Sequence, residues 1–76
     1  MKNKYAGMSA NERFITHTMD VLGRKSNAEI MRLSPGAYAY DTCGSGKIQW
    51  LYDTVADCVR KEQAARAQAI RQSMTA

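Results

Sequence analysis

The residues that come closest to a chemical motif lie in YDTCGSGKIQWLYD, residues 40–53. A glycine-rich turn that carries a lysine and opens a helix can hold an anion, because free amides and an ammonium point the same way. Nucleotide hydrolysis asks for more. It needs a turning glycine five positions ahead of the second one, a magnesium-binding hydroxyl after the lysine, and a buried strand in front. Here Asp41 stands five before Gly46, a negative charge where phosphate would sit, and Ile48 follows Lys47. No apolar strand pattern precedes the turn. Gly44, Ser45, Gly46 and Lys47 are left with weak anion binding, beside the plainer role of hinge and helix start.

The other reactive side chains are few. Two cysteines, Cys43 and Cys58, and one histidine, His17, do not complete a four-ligand zinc site unless carboxylates join. Neither a metal nor any other cofactor is expected. His17 has Arg13 one turn before it and Asp20 three residues on, but no nucleophile or oxyanion site accompanies it, so it reads as a surface or packing residue. Cys43 falls in the glycine loop beside Asp41, without the electropositive setting that activates a thiol. Cys58 falls on an apolar helical face. Free, reduced thiols are expected over a Cys43–Cys58 disulfide, which fits a cytoplasmic setting. Catalysis is not expected.

Binding has better candidates. Tyr38, Tyr40, Trp50 and Tyr52 cluster around the glycine turn. Such a set serves as a small aromatic core, as a protein-contact hot spot, or as a base-stacking platform, and is ranked here in that order. Trp50 and Tyr52 lie on different flanks of one helix, so at least one should remain partly exposed. Arg66 and Arg71 join Tyr38, Tyr40, Trp50 and Tyr52 as expected protein contacts.

The chain has 76 residues and a formal net charge of +4, which invites a nucleic-acid reading. The charge is unevenly spread: residues 1–8 carry +2, residues 9–59 carry −1 and residues 60–76 carry +3. A nucleic-acid domain more often concentrates charge on a packed face. The stretch ITHTMDVLGRKSNAEIMRL loosely matches a helix-turn-helix, with Gly23 in the turn. Two details weaken the match: Glu29 takes an early apolar position of the second helix, and Met19 stands where a small residue packs better. Arg24, Lys25 and Arg32, with Arg60 and Lys61, would be its phosphate-facing set.

The elements that must position these residues are helical. Ser9 with Glu12, and Ser26 with Glu29, each form the capping-box spacing. The first predicts a helix over about residues 10–22, stopped by Gly23. The second predicts a short helix interrupted at Ser34-Pro35-Gly36, where a serine and a first-turn proline begin another. PGAYAYDT, residues 35–42, is read as helix ended by Gly44 over an isolated strand, which would have nothing to pair with. From Ile48 no proline or glycine follows, and a last helix is predicted to about Gln72. Its apolar stripe is Ile48, Leu51, Val55 and Cys58, widened by Trp50, Tyr52 and Val59. Past Val59 the stripe thins to Ala65 and Ala69.

The expected architecture is therefore all-α: a basic arm over 1–8, then one small helical domain over 9–76 whose final stretch, 60–76, projects or dimerises. A chain of this size buries a modest core and needs a staple or a partner. Asp53 and Asp57 in the first half of the last helix, with arginines in the second, suit an antiparallel copy. A homodimer follows as an expectation. No leader pattern opens the chain and no run of about 18 apolar residues occurs, so neither secretion nor a membrane partner is expected. The expected function is a small regulatory or inhibitory protein that binds another protein, the kind of chain that viruses and plasmids encode. A DNA- or RNA-binding module is the alternative, and a binder of small phosphorylated ligands the third reading.

Overall fold

The computed structural model describes residues 5–44 and 48–75 and is all-α. Its elements are α1 (Ala10–Gly23), α2 (Asn27–Arg32), α3 (Pro35–Cys43) and α4 (Gln49–Thr75). Both capping boxes form. The Ser9 hydroxyl accepts the Glu12 amide at 3.2 Å while Glu12 Oε1 accepts the Ser9 amide at 2.9 Å. The Ser26 hydroxyl accepts the Glu29 amide, and Glu29 Oε1 the Ser26 amide, each at 3.2 Å. Each box satisfies two amides that a helix start otherwise leaves open.

Three local expectations change. Gly23 does not stop α1 in a left-handed conformation: it is the last helical residue, and Arg24 follows as a right-handed C-cap. Ser34 is the N-cap of α3 but makes no side-chain cap bond; its carbonyl accepts the Tyr38 amide at 2.9 Å, and Pro35 supplies the fixed φ of the first turn. Cys43 belongs to the last turn of α3, not to the loop, and packs half-buried against Ala39, Val55 and Ala56. Gly44 then ends α3 with φ +76°, a conformation that glycine adopts without a Cβ clash. Both cysteines are free.

The three short helices pack on α4 and make little contact with one another; α3 covers it most, then α1, then α2. The core is two adjoining clusters. Leu22, Ile30, Cys58 and Val59 form one; Ala39, Val55 and Ala56 form the other, and Tyr38 packs against both. Four side chains, Leu22, Ile30, Val55 and Val59, are fully buried, each stabilising the fold by about 1.5–3 kcal/mol. Thr18 is also buried, and its hydroxyl donates to the Phe14 carbonyl at 2.8 Å. The described part of the arm folds back on α1, where the Tyr5 hydroxyl donates to Asp20 at 3.3 Å.

The molecule is flat and long, 41 × 36 × 15 Å. Its radius of gyration is 14.0 Å, against about 11 Å for a compact domain of this length. The 27 residues of α4 at about 1.5 Å each account for the long axis. Among the described residues no helix is long and apolar enough to cross a membrane.

Candidate functional site

Helix α4 carries more polar work than its sequence suggests. Gln63 lies two turns beyond Ala56 on the side that faces α3 and α2. Its amide donates to the carbonyls of Ile30 at 3.0 Å and Leu33 at 2.8 Å, closing the end of α2. One turn on, the half-buried Arg66 does the same for α1. Its guanidinium donates to the Leu22 and Gly23 carbonyls at 3.4 and 3.3 Å, to Asn27 Oδ1 at 2.8 Å and to Glu62 Oε2 at 2.7 Å. Helix α1 has no basic residue in its last turn, so its open carbonyls take a donor from another helix. Arg66 is thereby committed inside the chain, whereas Arg71 is exposed.

The aromatic set divides in the same way. Tyr52 donates its hydroxyl to the Gly36 carbonyl at 3.0 Å, which ties the first turn of α3 to α4. Tyr38 is packed between the two core clusters, with Lys25 Nζ 6.0 Å from its ring centre. Tyr40 and Trp50 are different: both are exposed. Trp50 leans on Phe14 of α1, ring centres 6.1 Å apart and planes at 45°, and stays 42% exposed.

Ile48 joins them. The sequence stripe places it in the core, yet it is exposed, because α4 begins at Gln49 and Ile48 stands ahead of the first turn, where its carbonyl accepts the Tyr52 amide at 3.2 Å. Tyr40 accepts the Gly44 amide at 2.8 Å in the last turn of α3. Tyr40, Ile48 and Trp50 thus sit within a turn of the α3–α4 connection, 42–56% exposed. Large apolar side chains left exposed in this way are candidates for contact.

The basic residues are not gathered onto one face. Arg60 and Lys61 lie on the side of α4 away from the buried Val55–Val59 stripe, and Arg60 pairs with Asp57 at 3.1 Å. Arg24 and Lys25 lie in the α1–α2 connection, and Arg32 is the last residue of α2. Arg32 folds back onto the Ala28 carbonyl, and α2 has only six residues. Of the anion-binding candidates, Gly44 is described; Ser45, Gly46 and Lys47 lie outside the described residues. His17 is exposed, and among the described residues no three histidine, cysteine, aspartate or glutamate side chains converge as metal ligands would.

Among the described residues three ionisable groups depart from their ordinary behaviour. The Ser9 amide and hydroxyl hold the Glu12 carboxyl below the usual glutamate range, and Ser26 does the same for Glu29. Burial pushes the Cys58 thiol up. All three follow from caps or core. Comparison of the chain with known protein families, with curated proteins and with solved structures gives no match.

Proposed function

We propose that the chain is a small non-enzymatic regulatory or inhibitory protein that docks its α3–α4 end onto another protein, and that it does so as a homodimer. The observation that carries the docking surface is the exposure of Tyr40, Ile48 and Trp50 together at that end, while Tyr38 and Tyr52 are held in internal contacts. Tyrosine and tryptophan bring large contact area at low entropic cost, which is why they dominate binding hot spots. Arg71 remains available at the far end of α4. No specific observation favours the nucleic-acid reading: of its basic residues, Arg32 is bonded to the Ala28 carbonyl and Arg60 to Asp57.

The test is affinity capture from the host lysate with the wild-type chain and with a Tyr40→Ala, Trp50→Ala variant. Both side chains are exposed, so the variant should fold. The reading expects a stoichiometric protein that stays bound in about 0.5 M salt, where exposed charge contacts are screened, and that the variant loses. Capture indifferent to the two substitutions refutes it. Nucleic acid that co-purifies and is released steeply by salt would replace it with the alternative.

A further inference from the structure

Most carboxylates of this chain hold something inside it. Glu12 and Glu29 close the two capping boxes, Asp20 accepts the Tyr5 hydroxyl, Asp57 pairs with Arg60 and Glu62 with Arg66. Of the seven acids, Asp41 and Asp53 remain, and among the described residues neither has a cation within ion-pair distance. Both are exposed, and both stand at the α3–α4 end. Asp41 follows Tyr40, and Asp53 comes three residues after Trp50, on the same face of α4, where it accepts the Gln49 side-chain amide at 2.8 Å. Residues 35–53 carry Asp41 and Asp53 against Lys47, a net −1 in a chain of +4. The start of α1 reaches this end through the Phe14–Trp50 contact and adds Glu12 and Arg13, which cancel. The C-terminus of α3 and the N-terminus of α4 are joined here, so their dipoles offset and the side chains set the sign.

We infer that the α3–α4 end takes a cationic segment of its partner protein, with lysine or arginine side chains set among apolar ones. Exposed apolar surface does not choose a partner by itself; the two carboxylates do. A cation is attracted to the face of a tryptophan or tyrosine ring within about 6 Å, and a carboxylate beside that ring holds the same group by a charge-assisted bond. Tyr40 with Asp41, and Trp50 with Asp53, each bring both elements to one end. An acidic segment, or the phosphates of a nucleic acid, would meet like charge beside both aromatics. The fold does not account for Asp41: it lies two residues before the end of α3, whose last turn has no basic residue, and a carboxylate there opposes the helix dipole. Charges at the rim of an interface select and steer more than they hold. The aromatics therefore keep the contact in high salt, while Asp41 and Asp53 decide which segment arrives.

This preference rests on the docking part of the proposed function and adds the partner's charge. Trp50 is the only tryptophan of the chain, so its fluorescence reports the site directly. The probes are short peptides of leucine and lysine, and counterparts with glutamate in place of every lysine. The lysine peptides are expected to shift Trp50 emission saturably at about 50 mM salt, where exposed charges are weakly screened, and to bind about tenfold or more tighter than their glutamate counterparts. An Asp41→Asn, Asp53→Asn variant keeps an acceptor for Gln49 and should keep its helical circular dichroism. It should bind the lysine peptides about threefold or more weaker, the range of two exposed ion pairs. The absence of a saturable shift with the lysine peptides, equal binding of the glutamate peptides, or an Asp41→Asn, Asp53→Asn variant that binds like wild type overturns the preference. The docking end itself is judged by capture. A protein lost by the Tyr40→Ala, Trp50→Ala variant, but held as before by the Asp41→Asn, Asp53→Asn variant, overturns the preference for cations alone.

Discussion

Arg66 is the side chain whose loss should cost this fold most for its size. Its guanidinium joins α4 to Glu62, to Asn27 of α2 and to the last carbonyls of α1. The Arg66 and Glu62 side chains are only 17% and 15% exposed, so the pair is better sheltered than an ordinary surface ion pair. Replacing Arg66 by alanine removes a charge-assisted bond at 2.7 Å and a second bond at 2.8 Å, each contributing about 1.5–3 kcal/mol where a charged group takes part. It also strands Glu62 and the α1 carbonyls, although water reaches part of that space and returns some of the loss. A net cost of about 2–4 kcal/mol is expected. A 76-residue domain has roughly 4–11 kcal/mol in all, so the change removes a large share. Urea unfolding followed by circular dichroism should show a lower midpoint with an unchanged slope, since the area exposed on unfolding is the same. Arg66→Lys is the decisive companion. It keeps the charge beside Glu62 but cannot reach Asn27 and two carbonyls at once, and should recover less than half of the loss. A cost below about 0.5 kcal/mol for alanine, the range of an ordinary surface substitution, or a lysine variant equal to wild type, would refute the account.

Three further outcomes follow from the same contacts. Gln63→Glu puts an acceptor against the Ile30 and Leu33 carbonyls in place of a donor; it should destabilise more than Gln63→Ala at neutral pH, and the gap should narrow on acidification as the carboxyl gains a proton to donate. Equal stability of the two variants at every pH would count against the cap. Glu12 and Glu29 are held below their ordinary value of 4.5, so their contribution is complete above that value and is lost as pH falls through the lower folded-state value. The thermal midpoint should therefore drop as pH falls below 4.5, and drop less in a Glu12→Gln, Glu29→Gln variant; parallel curves would speak against it. With a thiol reagent, half-buried Cys43 should react first and buried Cys58, whose thiol burial pushes up, only as the chain opens; two equally fast equivalents would contradict the packing.

The helices were legible because their signals are local. A serine three residues before a glutamate, a proline at a first turn and a glycine after Cys43 each act on neighbouring backbone, and each names a boundary. The Val55–Val59 core face was legible from periodicity. What escaped that reading was long-range. Gln63 and Arg66 continue the core register of Val55 and Val59, and a polar residue in such a register signals a buried partner. The partners are backbone carbonyls of α1 and α2, which carry no side-chain identity to match. Ile48 was assigned to the core because a stripe pattern cannot say where the covering helices end. Arg66 was grouped with Arg71 as a contact because charge alone does not separate a committed guanidinium from an exposed one.

The division of α4 has a mechanical consequence. Its middle, from Tyr52 to Arg66, is covered by three helices that contact one another little, so α4 is the element that fixes the distance between the molecule's two uncovered ends. Those ends differ in chemistry. The α3–α4 end exposes Tyr40, Ile48 and Trp50, while the C-terminal end exposes Ile70 and Met74. Because α1, α2 and α3 each pack on α4 more than on one another, loosening any one of them uncovers part of the Val55–Val59 stripe and leaves the contacts of the other two in place.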